Sequence, residues 1–418
     1  MCDATRVALV VGTLFLGVPP LLARPKHIEK FKLTASDAEL GARFGSSVDI
    51  SGNTAVIAAR KDDHAGKEAG AAYLFDISTG KELFKLTASD AAELDAFGWS
   101  VAISDNTAII GAPGNDDDGR LSGSAYLFDI TTGNELFKLT ASDASELDHF
   151  GVSVDISGTV ALVGARYGVG AEGGTGFDKP GSAYLFDVNT GDELLKVTAS
   201  DAEIGDQFGL SVAISGSNAI VGAVGNDDAC VRHDRCNSGS AYLFDVTTGN
   251  ELLKLTTSDA AKGDAFGNSV GVNGNMIIVG AIGDEYASGS AYVFDATTGK
   301  EVFKMRASDG VSSDAFAGSV DIAGDVAIIG AFNNDMTGSA YLFDVSTGEE
   351  LFKLTASDII DRDHFGTSVA IQGDIAIIGA FGVEATSSGA AYVFVIPLPA
   401  TTSLLSGLCV LALMRRNR

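Results

Sequence analysis

The chain has 418 residues, 46% of them hydrophobic, with 51 glycines, 7 prolines and a formal charge of −27 at pH 7. That length holds several ordinary domains or one large repetitive one, and many glycines with few prolines suit short strands joined by tight turns. The acidity speaks against nucleic acid, whose phosphates demand lysine and arginine, and points to cationic or metallic charged partners.

The first element is a leader. Arg6 precedes an uninterrupted apolar run, Val7 to Val18, and small or apolar residues continue to Ala23. This layout predicts a secretory signal peptide over residues 1–23. A buried first helix is the weaker alternative, because a polar, repeat-like strand follows at once. Cys2 stands before the apolar run, so it is not placed as a lipoprotein cysteine.

Next comes an isolated strand, "FKLTASD" at 31–37, identical to residues 84–90. After it one unit recurs. Phe44-Gly45 returns as Phe97-Gly98, Phe150-Gly151, Phe208-Gly209, Phe266-Gly267 and Phe365-Gly366, with a scrambled sixth copy at Phe316-Ala317-Gly318. Length differences fall in one variable loop of each copy.

The second copy shows how a unit divides. "GWSVAIS" (98–104) alternates, Asp105-Asn106 turns the chain, and "TAIIGA" (107–112) is a short apolar run suited to a buried strand. Then "SAYLFDI" sets Tyr126 and Phe128 on one face and Leu127 on the other. Thr132-Gly133 leads into "ELFKLTA" (135–141), whose Lys138 points outward and discourages edge pairing. No segment between the ends sustains a 3.6-residue period.

Four strands repeated seven times predict an all-β fold, a seven-bladed β-propeller of four-stranded antiparallel blades over residues 28–395. A linear β-solenoid would need shorter, more regular rungs. The seventh copy breaks off after its third strand, at Val395. The lone N-terminal strand at 31–37 is the only segment left to complete it, so the last blade is expected to close the ring with the first strand of the chain.

The units resemble FG-GAP repeats, found in integrin α-subunit propellers and many bacterial surface proteins. Phe97-Gly98, Ser100-Val101, Gly111-Ala112-Pro113 and Tyr126-Leu127-Phe128 carry the resemblance most fully. Ala58-Ala59-Arg60 departs from it. The calcium loop of integrin-type repeats, Asp-x-Asp-x-Asp-Gly, is missing between the first two strands, where short turns such as Ser51-Gly52-Asn53-Thr54 stand. No cofactor is therefore expected, beyond weak Ca²⁺ binding in oxygen-rich loops.

Strand parity puts the long loops and the inter-blade links on one face, where binding usually resides. That face is acidic. Each link carries Ser-Asp (Asp37, Asp90, Asp143, Asp201, Asp259, Asp309, Asp358), and six copies place another aspartate two before the phenylalanine (Asp95, Asp148, Asp206, Asp264, Asp314, Asp363). A position used in every blade reads as turn architecture. Asp116, Asp117, Asp118, Asp227 and Asp228 are less repetitive and form the candidate ligand-binding face, although solvated loops are the simpler explanation for them. In "CVRHDRC", Cys230 and Cys236 are spaced to close a small disulfide in an oxidising compartment, and a metal site using His233 and Asp234 is the thinner alternative.

Catalytic signatures are absent: no Gly-x-Ser-x-Gly elbow, no His-Glu-x-x-His, no phosphate loop. His64, His149, His233 and His364 fall in separate copies. His149 and His364 share one repeat position and look like ordinary variation, and Trp99 looks packed beside the first strand.

The last element spans residues 396–418: Ile396-Pro397-Leu398-Pro399-Ala400, an apolar stretch to Met414, then Arg415, Arg416 and Arg418. It is marginal for a bilayer of roughly 30 Å. Its three features in order resemble the PEP-CTERM sorting tail in its Val-Pro-Leu-Pro-Ala variant, which implies processing by an exosortase-type membrane enzyme in a Gram-negative bacterium. An ordinary C-terminal anchor is the alternative. Together these readings predict an exported, surface- or matrix-associated monomer that binds protein or polysaccharide without catalysis. The alternative is a secreted polysaccharide hydrolase or lyase, which an irregular cluster of His, Arg and carboxylates at the channel mouth would favour.

Overall fold

The computed structural model describes residues 28–166, 179–227, 236–358, 360, 362–382 and 387–397. Seven four-stranded sheets contain all the described strands, each sheet antiparallel and ordered first to fourth strand. In blade 1 these are Phe44–Ser51, Thr54–Ala59, Ala71–Asp76 and Lys81–Leu86. The first strands of all seven blades surround one axial cavity of about 150 Å³, so they are innermost.

The last blade is closed by the start of the chain. Ile28–Leu33 pairs antiparallel with Ala390–Val395, from Ile28 opposite Val395 to Leu33 opposite Ala391. The strand begins three residues before the identical heptapeptide suggests. Ile396 also belongs to the fold: it is 1% exposed, and its N–H bonds the Asp374 carbonyl at 2.7 Å. The propeller therefore runs one residue into the segment assigned to the tail.

The core is seven layers, each shared by two neighbouring blades. Val56, Ala58 and Leu74 of blade 1 pack on Ile110, Tyr126 and Phe128 of blade 2, while Leu127, on the other face, packs toward blade 3. The blade phenylalanine keys each layer. Phe150 meets Tyr184 and Phe186 edge-on at 5.5 and 5.8 Å, geometry favoured by the ring quadrupoles. The following glycine is forced: Gly151 sits at φ +85°, and a Cβ there would lie 2.3 Å from the Ser124 carbonyl oxygen. In blade 6 Ala317 takes this place at φ +63°.

Candidate functional site at the axial mouth

The link aspartates serve the frame. In every blade the Ser-Asp aspartate accepts a tyrosine hydroxyl from the third strand at 2.7–3.0 Å. It also accepts a lysine ammonium from the fourth strand at 2.5–2.6 Å. Lys138, expected to guard an edge, is one of these and holds Asp90. Burial pushes Asp90 upward, but Lys138 and Tyr126 outweigh it and hold the carboxyl below its usual range. The neighbouring serine is clamped by a glutamate of the fourth strand, as Ser89 is by Glu135 at 2.9 and 3.0 Å. The aspartates two before the phenylalanine cap their own turns, as Asp95 does for the Ala92 N–H.

The less repetitive loop aspartates are partly committed as well. Asp116 accepts the Leu121 N–H, Asp117 pairs with Lys138, and Asp227 accepts the Asn237 N–H. Asp118 is exposed. Asp228 and Cys230 lie outside the described residues, as do His233 and Asp234, residues 1–27 and the sorting-motif residues Leu398, Pro399 and Ala400. Cys236 is buried. The turns between first and second strands are two residues long, as at Gly52-Asn53 between paired Ser51 and Thr54. The family's calcium loop has no place there.

Sequence reasoning did not bring together two groups on the axis, although it noted His149, His364 and Trp99 singly as ordinary variation and packing. Asp49, Asp155 and Asp321 stand at one position of the first strand in blades 1, 3 and 6, where other blades carry Ala102, Ala213, Gly271 and Ala370. Each side chain has some accessible area, yet it faces a bore walled by protein. Each accepts one N–H from its own strand and one from the next blade, as Asp155 does from Ile156 at 2.8 Å and Ile214 at 2.6 Å. Burial raises all three: Asp155 to about 7, Asp321 to about 6, and Asp49 well above the usual range, with the charges of the other two adding to the rise.

The second group rings the mouth of this bore on the loop face. The backbone ladder runs one rung beyond the first two strands, as the Lys61 N–H to Ala42 carbonyl bond shows. That rung pairs the residue before each Phe-Gly with one seventeen positions later: Arg43 with Arg60, His149 with Arg166, His364 with Phe381. All seven residues before the phenylalanine have positive φ, between 52° and 59°. The blades then differ in what they present. The Arg60 guanidinium lies 4.2 Å from the Trp99 ring centre, and that of Arg43 lies 5.3 Å from the Phe381 ring. His364 stacks on Phe381 at 4.8 Å. Burial, then the charges of Arg166 and Arg120, lowers His149 to about 4; burial chiefly lowers His364 too.

Of the six arginines among the described residues, Arg43, Arg60 and Arg166 sit on this rung, and Arg120 and Arg362 lie close enough to act on its histidines. Arg306 is paired with Glu285. Blades 4 and 5 contribute only Gln207, Val224, Ala265 and Ile282, so the ring is lopsided. The signal in the sequence was the residue on either side of the repeated Phe-Gly and Gly-Ala motifs, where the copies stop agreeing.

The FG-GAP repeat family matches seven segments: residues 28–75, 81–128, 134–186, 192–244, 250–294, 300–343 and 349–394. Each begins on the fourth strand of one blade and ends on the third strand of the next, one strand out of phase with the blades. Comparison with curated proteins gives no match. Among solved structures, the crystal structure of the computationally designed protein Ika8 matches with a TM-score of 0.51 and 16% identity, covering 88% of this chain and 99% of its own. At that identity the likeness is one of fold alone. Seven matched units, one per blade junction and together spanning most of the sequence, show that the chain belongs to the FG-GAP repeat family.

Proposed function

We propose that this propeller is a non-enzymatic binding module that takes a carboxylate-bearing ligand, displayed by a protein or polysaccharide, at the axial mouth of its loop face. The observation that carries the reading is the concentration of arginine and aromatic side chains there, on a chain of net charge −27. Arginine binds carboxylates through a planar fork of donors, and Trp and Arg dominate binding hot spots. The link carboxylates, engaged by tyrosine and lysine of their own blades, act as the frame.

The irregular set of His and Arg at the mouth is the pattern that would favour the enzyme, but His149 argues for recognition over proton transfer. An imidazole that holds its proton only below about 4, as His149 does, is a weak general base at neutral pH. Titration calorimetry with oligouronates and with acidic peptides tests the proposal. Binding that falls about tenfold or more in Arg60→Ala or Arg166→Ala supports it. Turnover of an oligosaccharide, or affinity indifferent to both changes, refutes it.

The setting is part of the proposal: export, residence at the cell surface or in the matrix, and transient membrane association through a tail processed by an exosortase-type enzyme. The apolar leader and the tail's resemblance to the PEP-CTERM motif support it. Mass spectrometry of the surface form is the check; a chain still ending in Arg415-Arg416-Asn417-Arg418 means an ordinary anchor.

A further inference from the structure

Blade 1 differs from its neighbours at the outer edge of the loop face. Where blades 2, 4 and 6 carry Asn115, Asn226 and Asn334, it carries Asp62, 1% exposed, as blade 5 carries Asp284. Two residues on stands His64, and the preceding link supplies Glu39 after Asp37. No other blade combines a histidine and a link glutamate at these places among the described residues. The His64 Nδ1 lies 3.1 Å from an Asp62 carboxylate oxygen. A carboxylate only accepts, so this bond puts a ring proton on Nδ1. The opposite nitrogen, Nε2, then points at Glu39 Oε1 at 3.4 Å and Asp37 Oδ2 at 3.8 Å.

In a neutral ring Nε2 is itself an acceptor, and it then faces two carboxylates across a gap that a cation would fill. Lys85 meets part of the demand, with Nζ 2.6 Å from Asp37 and 3.0 Å from Asp62, but among the described residues no ion pair joins it to Glu39, which leaves three carboxylates against one ammonium. The remaining gap suits a metal ion. Donors held about 2.0–2.2 Å from a tetrahedral centre are roughly 3.3–3.6 Å apart, so the Nε2 to Glu39 spacing fits as it stands, while Asp37 Oδ2, 3.8 Å from Nε2, holds Lys85 at 2.6 Å and must give up that ammonium to join. A histidine fixed by a carboxylate on its far nitrogen is the usual way proteins orient a metal-binding imidazole. The donors are also reachable, with His64, Glu39 and Asp37 side chains 39%, 43% and 32% exposed.

We propose that blade 1 carries a surface site for a borderline divalent cation of the Zn²⁺ type, ligated by His64 Nε2, Glu39 and Asp37, with Asp62 as the residue that positions the imidazole. Water completes the coordination. The site is separate from the axial mouth and does not depend on what binds there.

Zinc titration of the metal-stripped protein by calorimetry tests this, with ¹⁵N spectra of the histidine rings as a second readout. The wild type is expected to bind one Zn²⁺ that His64→Ala loses, and Nε2 of His64 is expected to move from its free to its metal-bound shift. Glu39→Gln should weaken that binding step about tenfold and serves in place of His64→Ala should that variant fail to fold. Asp62→Asn should weaken it by about 10–100-fold while leaving the ligands in place. Identical isotherms for wild type, His64→Ala and Glu39→Gln overturn the proposal. So does a His64 ring that keeps a proton on Nε2 at millimolar zinc, which makes the group an imidazolium paired with carboxylates and nothing more.

Discussion

Ala265 sits at φ +54° before its blade phenylalanine, in a conformation that costs an L-residue roughly 1–2 kcal/mol. Because it is only half-buried, removing its methyl loses little packing. Ala265→Gly is therefore expected to stabilise the protein by about 0.5–1 kcal/mol, the reverse of the usual penalty for Ala to Gly. Denaturant melts decide it; a loss of stability means the strain is taken up elsewhere. Arg43, His149 and His364 bear the same strain at the mouth, at φ +59°, +52° and +56°.

The axial carboxylates set a pH dependence. Their folded pKa values are raised above the ordinary value of about 3.9, so the folded state binds more protons than the unfolded one. The stability they give is complete below about pH 4 and is lost as pH rises toward 7, the value for Asp155. Asp155→Ala, which copies blades 2, 4 and 7, should flatten the fall between pH 4 and 7 by on the order of 2–4 kcal/mol. The link aspartates act in the opposite sense. Asp90, held low, gives stability above its ordinary value that is lost as pH falls below it. Melting curves for wild type and Asp155→Ala across pH 4–8 check this; parallel curves contradict it.

Among elements, the strands were the most legible, because two-residue alternation and the Phe-Gly repeat carry them in every copy. Tyr126 and Phe128 on one face and Leu127 on the other followed from parity alone, and the structure places them in two different layers. The closing strand was legible because its sequence duplicates 84–90, though Glu29, which clamps Ser357 at 2.8 and 3.0 Å, lies outside the duplicated heptapeptide. The mouth was not legible. Arg60 and Trp99 belong to different copies, and only the ring brings them to 4.2 Å. The role of Lys138 was hidden for the same reason, since Asp90 is 48 residues away in sequence.

Closure yields a test at this scale. Deleting residues 24–37 removes an entire strand and its layer contacts with Phe75 and Ile77 of blade 1. That deletion should abolish a cooperative melt, whereas a chain ending at Pro397 keeps Ile396 in place and should melt like the full chain. Equal melting of both truncations contradicts closure. In the blade 4 loop, the expected pairing of Cys230 with Cys236 is read by intact mass with and without reductant; two free thiols in exported protein rule it out.

The molecule as a whole sets a small cationic and aromatic ring against a strongly acidic body. The negative field slows anionic ligands at a distance and leaves recognition to short-range contacts, so binding should weaken only mildly with added salt. Trp99 is the chain's single tryptophan, and it lies against Arg60 at the mouth. Its fluorescence therefore reports on the proposed site without labelling. The most direct measurement is Trp99 emission during titration with a ligand whose binding calorimetry has established. A saturable change with the calorimetric affinity, abolished in Arg60→Ala, is the predicted result. Full calorimetric binding with Trp99 emission unmoved places the ligand elsewhere and contradicts the account.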